Sequence, residues 1–315
     1  MEQDELIIWV YLWVCEAMEA FHHRCRAQGL RLRQRGFAPA LSDEEALTIE
    51  LCGEMFRLQT DKGVHAYFTQ HYKTWFPNLP CRTTFTRQIA NLWRVKQDLQ
   101  RQLLAQQQAH LQRVQPVDTR PLPVCALSRR WRDRCFPGAA QVGYCAAQRT
   151  FYYGFKLGLR ITTSGLITFQ ALFAAATNDS RHLPALVEGH QGLVPVDKGF
   201  FDPFGWRLLA RTGLHIVGRG PKTTDHHRPQ EMALDRPDKP EPFQQLARAC
   251  FKVRKLIECV GALLCQRFAI DRIRVHDLWH LENRVLRKIL AHNLLLTLNI
   301  QLRRKPLDFD GLVRD

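Results

Sequence analysis

The chain has 315 residues, 45% of them apolar, and its 45 lysines and arginines outweigh 30 aspartates and glutamates to give a formal charge of +15. That length suits two domains or one large one, and the charge points to a polyanionic partner, most simply nucleic acid, with ribosomal or membrane-surface roles left open at this stage. No apolar run of about 18 residues exists, which argues against a membrane span, and the start MEQDELIIWV is acidic where a secretory signal is basic.

The ten cysteines include no CxxC pair, so they read as reduced thiols of a cytoplasmic protein, with zinc ligation as the weaker alternative. In chain order, the first hundred or so residues carry helical periodicity. Leu6 to His23 forms one apolar segment, and the basic loop with Arg31, Arg33 and Arg35 follows. In ALSDEEALTIELCGEMFRL, Ser42 is an N-cap and Glu45 closes a capping box. Pro77 and Pro80 then bracket a turn. After it, Thr83 or Thr84 can cap a helix whose exposed face carries Arg87, Arg94 and Lys96. Helix, tight turn and basic helix resemble a helix-turn-helix DNA reader, against the plainer account of a helical bundle with solvated basic residues.

From Val114 the pattern turns to strands. VQPVDTRPLPV is an apolar run broken by Asp118 and stopped by prolines. FYYGFKLGLRITTSGLITFQALFAAAT is rich in aromatic and β-branched residues, with Ser164-Gly165 as its hairpin turn. A capped helix SRHLPALVEGHQ, the strand LVPVD, a helix near PFGWRLLARTG and the strand LHIVGRG come next. A polar segment from Pro221 to Pro242 reads as a loop, and two helices follow, from about Phe243 to Phe268 and from about Leu281 to Leu302. The expected fold is α/β, a mixed sheet flanked by helices and preceded by a helical N-terminal region. The expected divisions are a DNA-binding region over 1–110, a catalytic domain over 111–302 and a basic or polar tail over 303–315.

Asp118 stands in the first strand of that sheet and Asp197 ends the fourth. If those strands are neighbours, two carboxylates meet, and they repel unless a cation lies between them. Oxygen ligands suit Mg²⁺ or Mn²⁺, and a third carboxylate would complete a two-metal site for phosphoryl transfer. Glu258, one turn beyond Arg254 on the helix FKVRKLIECVGALLCQRF, offers it. Asp179 competes with Asp197, but capping of the following helix accounts for it. Glu282 competes with Glu258, but sits among Arg284, Arg287 and Lys288 on a charged face. Lys156 and Lys198 are placed either to meet phosphate or to point into water.

The runs VDTRPLPVC, YYGFKLGL, VDKGF and FKVRKLIE together resemble bacterial insertion-sequence transposases of the DDE type, most nearly the insertion sequence 982 family, as do ALSDEEALTIEL and WFPNLPCRTTF. The resemblance spans about Leu41 to Leu296. It implies a ribonuclease-H-like core, an acidic triad of Asp118, Asp197 and Glu258, and two Mg²⁺ or Mn²⁺ ions for cleavage of element ends and transfer of the 3′-hydroxyls to target DNA. It also implies phosphate contacts from Arg254 and Lys156, a homodimer holding two ends, and a bacterial, nucleoid-associated setting. Phe251, Cys265 and Gly158 stand where the family pattern has tyrosine, lysine and histidine. Two other readings share the charge: a DNA-binding regulator on a transposase core, and a ribonuclease-H-like nuclease without strand transfer.

Overall fold

The computed structural model describes residues 1–33, 38–146, 148–218 and 241–312. Arg35 and nearly all of the polar segment from Pro221 to Pro242 lie outside the described residues. The chain forms two compact units, the first of residues 1–107, 266–270 and 279–315 and the second of residues 108–265 and 271–278.

The first unit is helical. It holds α1 (Gln3–Ala27), α2 (Asp43–Met55), α3 (Asp61–His71), α4 (Arg82–Asn91) and α5 (Trp93–Gln106). The capping box at Ser42 is present: the Glu45 N–H donates to Ser42 Oγ at 3.1 Å and the Ser42 N–H to Glu45 Oε2 at 2.8 Å. Every residue of α2 except Glu44 and Glu45 is buried, which places this helix at the centre of the unit. The cap of α4 is Cys81 rather than Thr83 or Thr84, since the helix already begins at Arg82 and Thr84 Oγ1 lies 3.3 Å from the Cys81 sulfur.

The second unit carries the sheet. Its elements are β1 (Val117–Cys125), β2 (Gln141–Cys145), β3 (Thr150–Ile161), β4 (Ile167–Ala174), α6 (Leu183–Leu186), β5 (Gly192–Pro195), α7 (Pro203–Ala210), β6 (Leu214–Val217) and α8 (Glu241–Gln266). The last helix, α9 (Leu278–Gln301), packs almost wholly in the first unit, so compact packing does not follow the divisions read from the sequence. β1 pairs antiparallel with one edge of β3. Tyr153 and Gly154 pair with β1 and β2 at once, so β2 lies on the other edge, which β4 continues along Phe155–Ile161. β5 and β6 pair in parallel. The expected turn at Ser164-Gly165 joins β3 to β4, with Gly165 at φ 97°, where a side chain would be strained.

β1 does not stop at its prolines. Pro121 and Pro123 sit at alternate positions of the strand, where the N–H of a residue points away from β3. Among the described residues no strand occupies that edge, so the missing donors break no ladder bond. β2 is a strand the sequence reading passed over; at five residues, with glycine at its centre, it carries almost no alternation.

Candidate active site

β5 runs beside the entry to β1. The Gln115 N–H donates to the Leu193 carbonyl at 3.0 Å and the Leu193 N–H to the Arg113 carbonyl at 2.7 Å, forming a parallel bridge between Val114 and Leu193. Asp118 and Asp197 each stand four residues beyond that pair, so the two acids occupy the same end of adjacent parallel segments. Val117, Val194 and Val196 beneath them are buried in one cluster with Leu186, Phe200 and Trp206. Apolar packing therefore fixes the backbone from which both carboxylates emerge.

The environments of the two acids differ. Burial pushes the Asp118 carboxyl up to about 7, and the charges of Asp197 and Asp179 add to the rise, while the Thr119 N–H and Arg120 oppose it. The Thr119 N–H donates to Asp118 Oδ1 at 2.8 Å. Asp197 is exposed over 53% of its side chain. Arg254, on α8, reaches it at 3.6 Å and Glu258 Oε1 at 3.0 Å, so one guanidinium gathers both acids. α8 approaches β1 closely at Gly261, where a Cβ would collide with the Arg120 guanidinium. Arg120 also donates to the Cys265 sulfur at 3.6 Å.

Asp179 is not the helix cap. Asn178 takes that role, accepting from the Ser180 N–H at 3.2 Å. Asp179 Oδ1 accepts from Thr119 Oγ1 and from Lys156 Nζ, both at 2.8 Å, and Lys156 also donates to the Thr177 carbonyl at 2.8 Å. Successive residues of a strand point to opposite faces, so the Thr119 bond ties Asp179 to the face away from Asp118. Lys156 is thus held in a partly buried ion pair rather than pointing freely into solvent. This Thr119–Asp179–Lys156 set is what the sequence reading missed, and only the alternation Asp118-Thr119 hinted at it. Lys198 is exposed beside Asp197.

Hard carboxylate oxygens match Mg²⁺ or Mn²⁺ in type, and the strain of like charge at Asp118 is of the kind that a cation relieves. Among the described residues no group of three or more His, Cys, Asp or Glu side chains is drawn together tightly enough to hold a metal ion. Arg254 stands beside the two exposed acids instead.

A family model described as a transposase DDE domain matches residues 109–294. The chain belongs to that family. Membership implies a DNA-cleaving enzyme. A solved structure, the cryo-electron microscopy structure of the piggyBac transposase synaptic complex with hairpin DNA, is similar at 10% identity with a TM-score of 0.51, covering 97% of this chain and 76% of that one. At that identity the likeness concerns the fold. No curated protein matches. No helix among the described residues of this transposase is long and apolar enough to cross a membrane.

The transposase's N-terminal basic residues divide in two. Arg87 and Arg94 are exposed. Arg31 and Arg94 line one cavity of about 670 Å³, together with Arg24 and Arg101. Arg33 is tied to Asp43. Lys96 departs from the expected exposed face: it is fully buried, with Nζ 2.8 Å from both oxygens of Glu50 and 3.0 Å from the Ile89 carbonyl. Glu282 lies on α9, which packs in the first compact unit over nearly all its length.

Proposed function

We propose that this transposase cuts the ends of an insertion sequence and joins the freed 3′-hydroxyls to target DNA, on a ribonuclease-H-like core. The observation that carries the reading is the Val114–Leu193 bridge, with Asp118 and Asp197 in equivalent positions beyond it. Asp118, Asp197 and Glu258 would hold divalent cations, Mg²⁺ or Mn²⁺. Bound there, such ions supply activation of the attacking water or hydroxyl and stabilisation of the leaving oxygen.

The chain's own side chains do the rest. Asp118 is held by the Thr119 N–H in a half-buried setting where desolvation disfavours ionisation and a compensating positive charge would favour it. Arg254 neutralises Asp197 and Glu258 before loading and then turns to a DNA phosphate, a role the planar guanidinium suits. Lys198 adds charge beside Asp197. Lys156 positions Asp179 and the Thr119 end of β1. The exposed Arg87 and Arg94, with Arg31 in the cavity, bind element-end phosphates. Two copies would bring two ends together.

The regulator reading is favoured by one observation: Arg254 already satisfies the two exposed acids, as a fixed structural cation would. Purified protein incubated with labelled DNA bearing its own element's ends, in Mg²⁺, Mn²⁺ or EDTA, separates the readings. Metal-dependent nicks at the ends followed by joined products are expected, and both are lost in Asp118→Asn and Asp197→Asn while binding persists. Random nicking would make the protein a plain nuclease. Tight specific binding without cutting in either metal would make it a regulator.

A further inference from the structure

Between β1 and β2 lies the segment ALSRRWRDRCFPG, whose Leu127–Arg132 forms a 3₁₀ turn. Trp131 is 83% exposed, the greatest exposure of any large apolar side chain among the described residues. An indole normally buries most of its surface, so this ring calls for an occupant. The Arg130 guanidinium lies 4.5 Å from the ring centroid and covers one side of it. Arg129, Arg132 and Arg134 are exposed around it. Among the described residues no ion pair engages Arg129, Arg130, Arg132 or Arg134, although ion pairs are common elsewhere in the chain. The one acid within the turn is consumed internally: Asp133 accepts from the Cys135 N–H at 2.8 Å and from the Tyr153 hydroxyl at 3.1 Å. The Tyr153 bond also anchors the turn to β3, so the segment is held in place rather than left as a loose loop.

Four uncompensated arginines demand an anion, and a flat ring already backed by a guanidinium offers its free side to another flat ring. We propose that this segment is a stacking site for an unpaired base of DNA, with Trp131 against the base and Arg129, Arg132 and Arg134 on the flanking phosphates. Paired bases inside a duplex expose only their edges, so the site selects gapped, tailed or locally opened DNA. β1 links this site to Asp118. At a rise of about 3.3 Å per residue, its far end lies roughly 23 Å from Asp118, the span of about seven nucleotide steps. The stacked base is therefore separate from the phosphate proposed to be cut. The partner class rests on the transposase reading, whereas the preference for unpaired DNA rests on Trp131 alone.

The test compares binding of the full-length protein to a mixed-sequence duplex and to the same duplex carrying a short single-stranded tail, by fluorescence anisotropy without divalent metal. Wild type should favour the tailed DNA. Trp131→Ala should lose about tenfold on the tailed DNA and little on the duplex, and Trp131→Phe should restore most of the loss. Arg132→Ala with Arg134→Ala should weaken both DNAs and flatten the salt dependence by about one unit per contact removed. Equal affinity of Trp131→Ala and wild type for the tailed DNA, or equal losses on tailed and intact DNA, would overturn the proposal. A wild-type protein that prefers tailed DNA but never cuts element ends would overturn the strand-transfer reading and leave this site standing.

Discussion

At the scale of single residues, the roles proposed for Arg254 toward metal and toward DNA can be separated. Its guanidinium lies 3.0 Å from Glu258 and 3.6 Å from Asp197, both more than half exposed. Removing a cation from beside two carboxylates strengthens their field for another. Arg254→Gln should therefore bind Mn²⁺ several-fold more tightly in calorimetry, yet cut DNA more slowly, because the phosphate contact is gone. Unchanged Mn²⁺ affinity would show that the guanidinium does not compete for these acids. Gly158 makes a second residue-scale case. A Cβ there would strike the Phe173 ring and a Leu186 methyl, so a histidine at this position has no room in this packing. Gly158→Ala should destabilise the second unit by about 1–3 kcal/mol, the usual cost of overpacking, read in a denaturant melt. Asp118 and Asp197 were legible as acids at the ends of apolar runs, because a lone charge at such a place needs a partner. Thr119 and Asp179 were not, since their bond joins residues sixty apart, a contact that only the folded sheet creates.

Among elements, α2, α3, α5 and α9 share a buried charge network that helical periodicity could not announce. Lys96 and Arg287 reach Glu50, Arg287 and Lys288 reach Glu54, and Arg284 and Arg287 reach Asp61. A helical wheel gives the face of Lys96 but not what covers it. That is why periodicity alone assigns a fully buried lysine to a solvated stripe. The capping box at Ser42 and the turn at Gly165 were legible because each is a local device whose partners lie within a few residues. Removing one member of a buried ion pair leaves its partner uncompensated. Glu54→Ala should thus cost about 3–5 kcal/mol, because Lys288 and Arg287 both lose an acceptor. Burial alone would raise the Asp61 carboxyl, but Arg287 and Arg284 outweigh it and hold the group below its usual value. A depressed folded-state pKa means stability that is present above the ordinary aspartate range and is lost as pH falls through the lower, folded-state value. Denaturant melts between pH 5 and about pH 2 should show that loss in wild type, with a shallower pH dependence in Asp61→Asn. Identical slopes would remove Asp61 from the acid response.

On the scale of the whole molecule, the first compact unit is built from both ends of the chain. Residues 1–107 pack with 266–270 and 279–315, while the sheet unit is inserted between them in sequence. From the sequence alone, the natural division falls where helices give way to strands near residue 110, because periodicity reports element type and not which elements pack together. The division matters for any attempt to isolate the N-terminal region proposed to bind DNA. In a fragment of residues 1–110, Glu50, Glu54 and Asp61 lose Arg284, Arg287 and Lys288, and Asn283 no longer donates to the Ala90 carbonyl. Without α9, whose Leu286, Ile289, Leu290 and Leu294 are buried within the first unit, apolar surface of that unit would be left uncovered. Such a fragment should be insoluble or lack a cooperative thermal transition. Co-expression with residues 279–315 should restore a folded complex that melts cooperatively and binds DNA through Arg87 and Arg94. A fragment of residues 1–110 that melts cooperatively on its own would show that α9 is dispensable to this unit. Failure to bind DNA by a well-folded two-piece complex would instead place end recognition on the sheet unit.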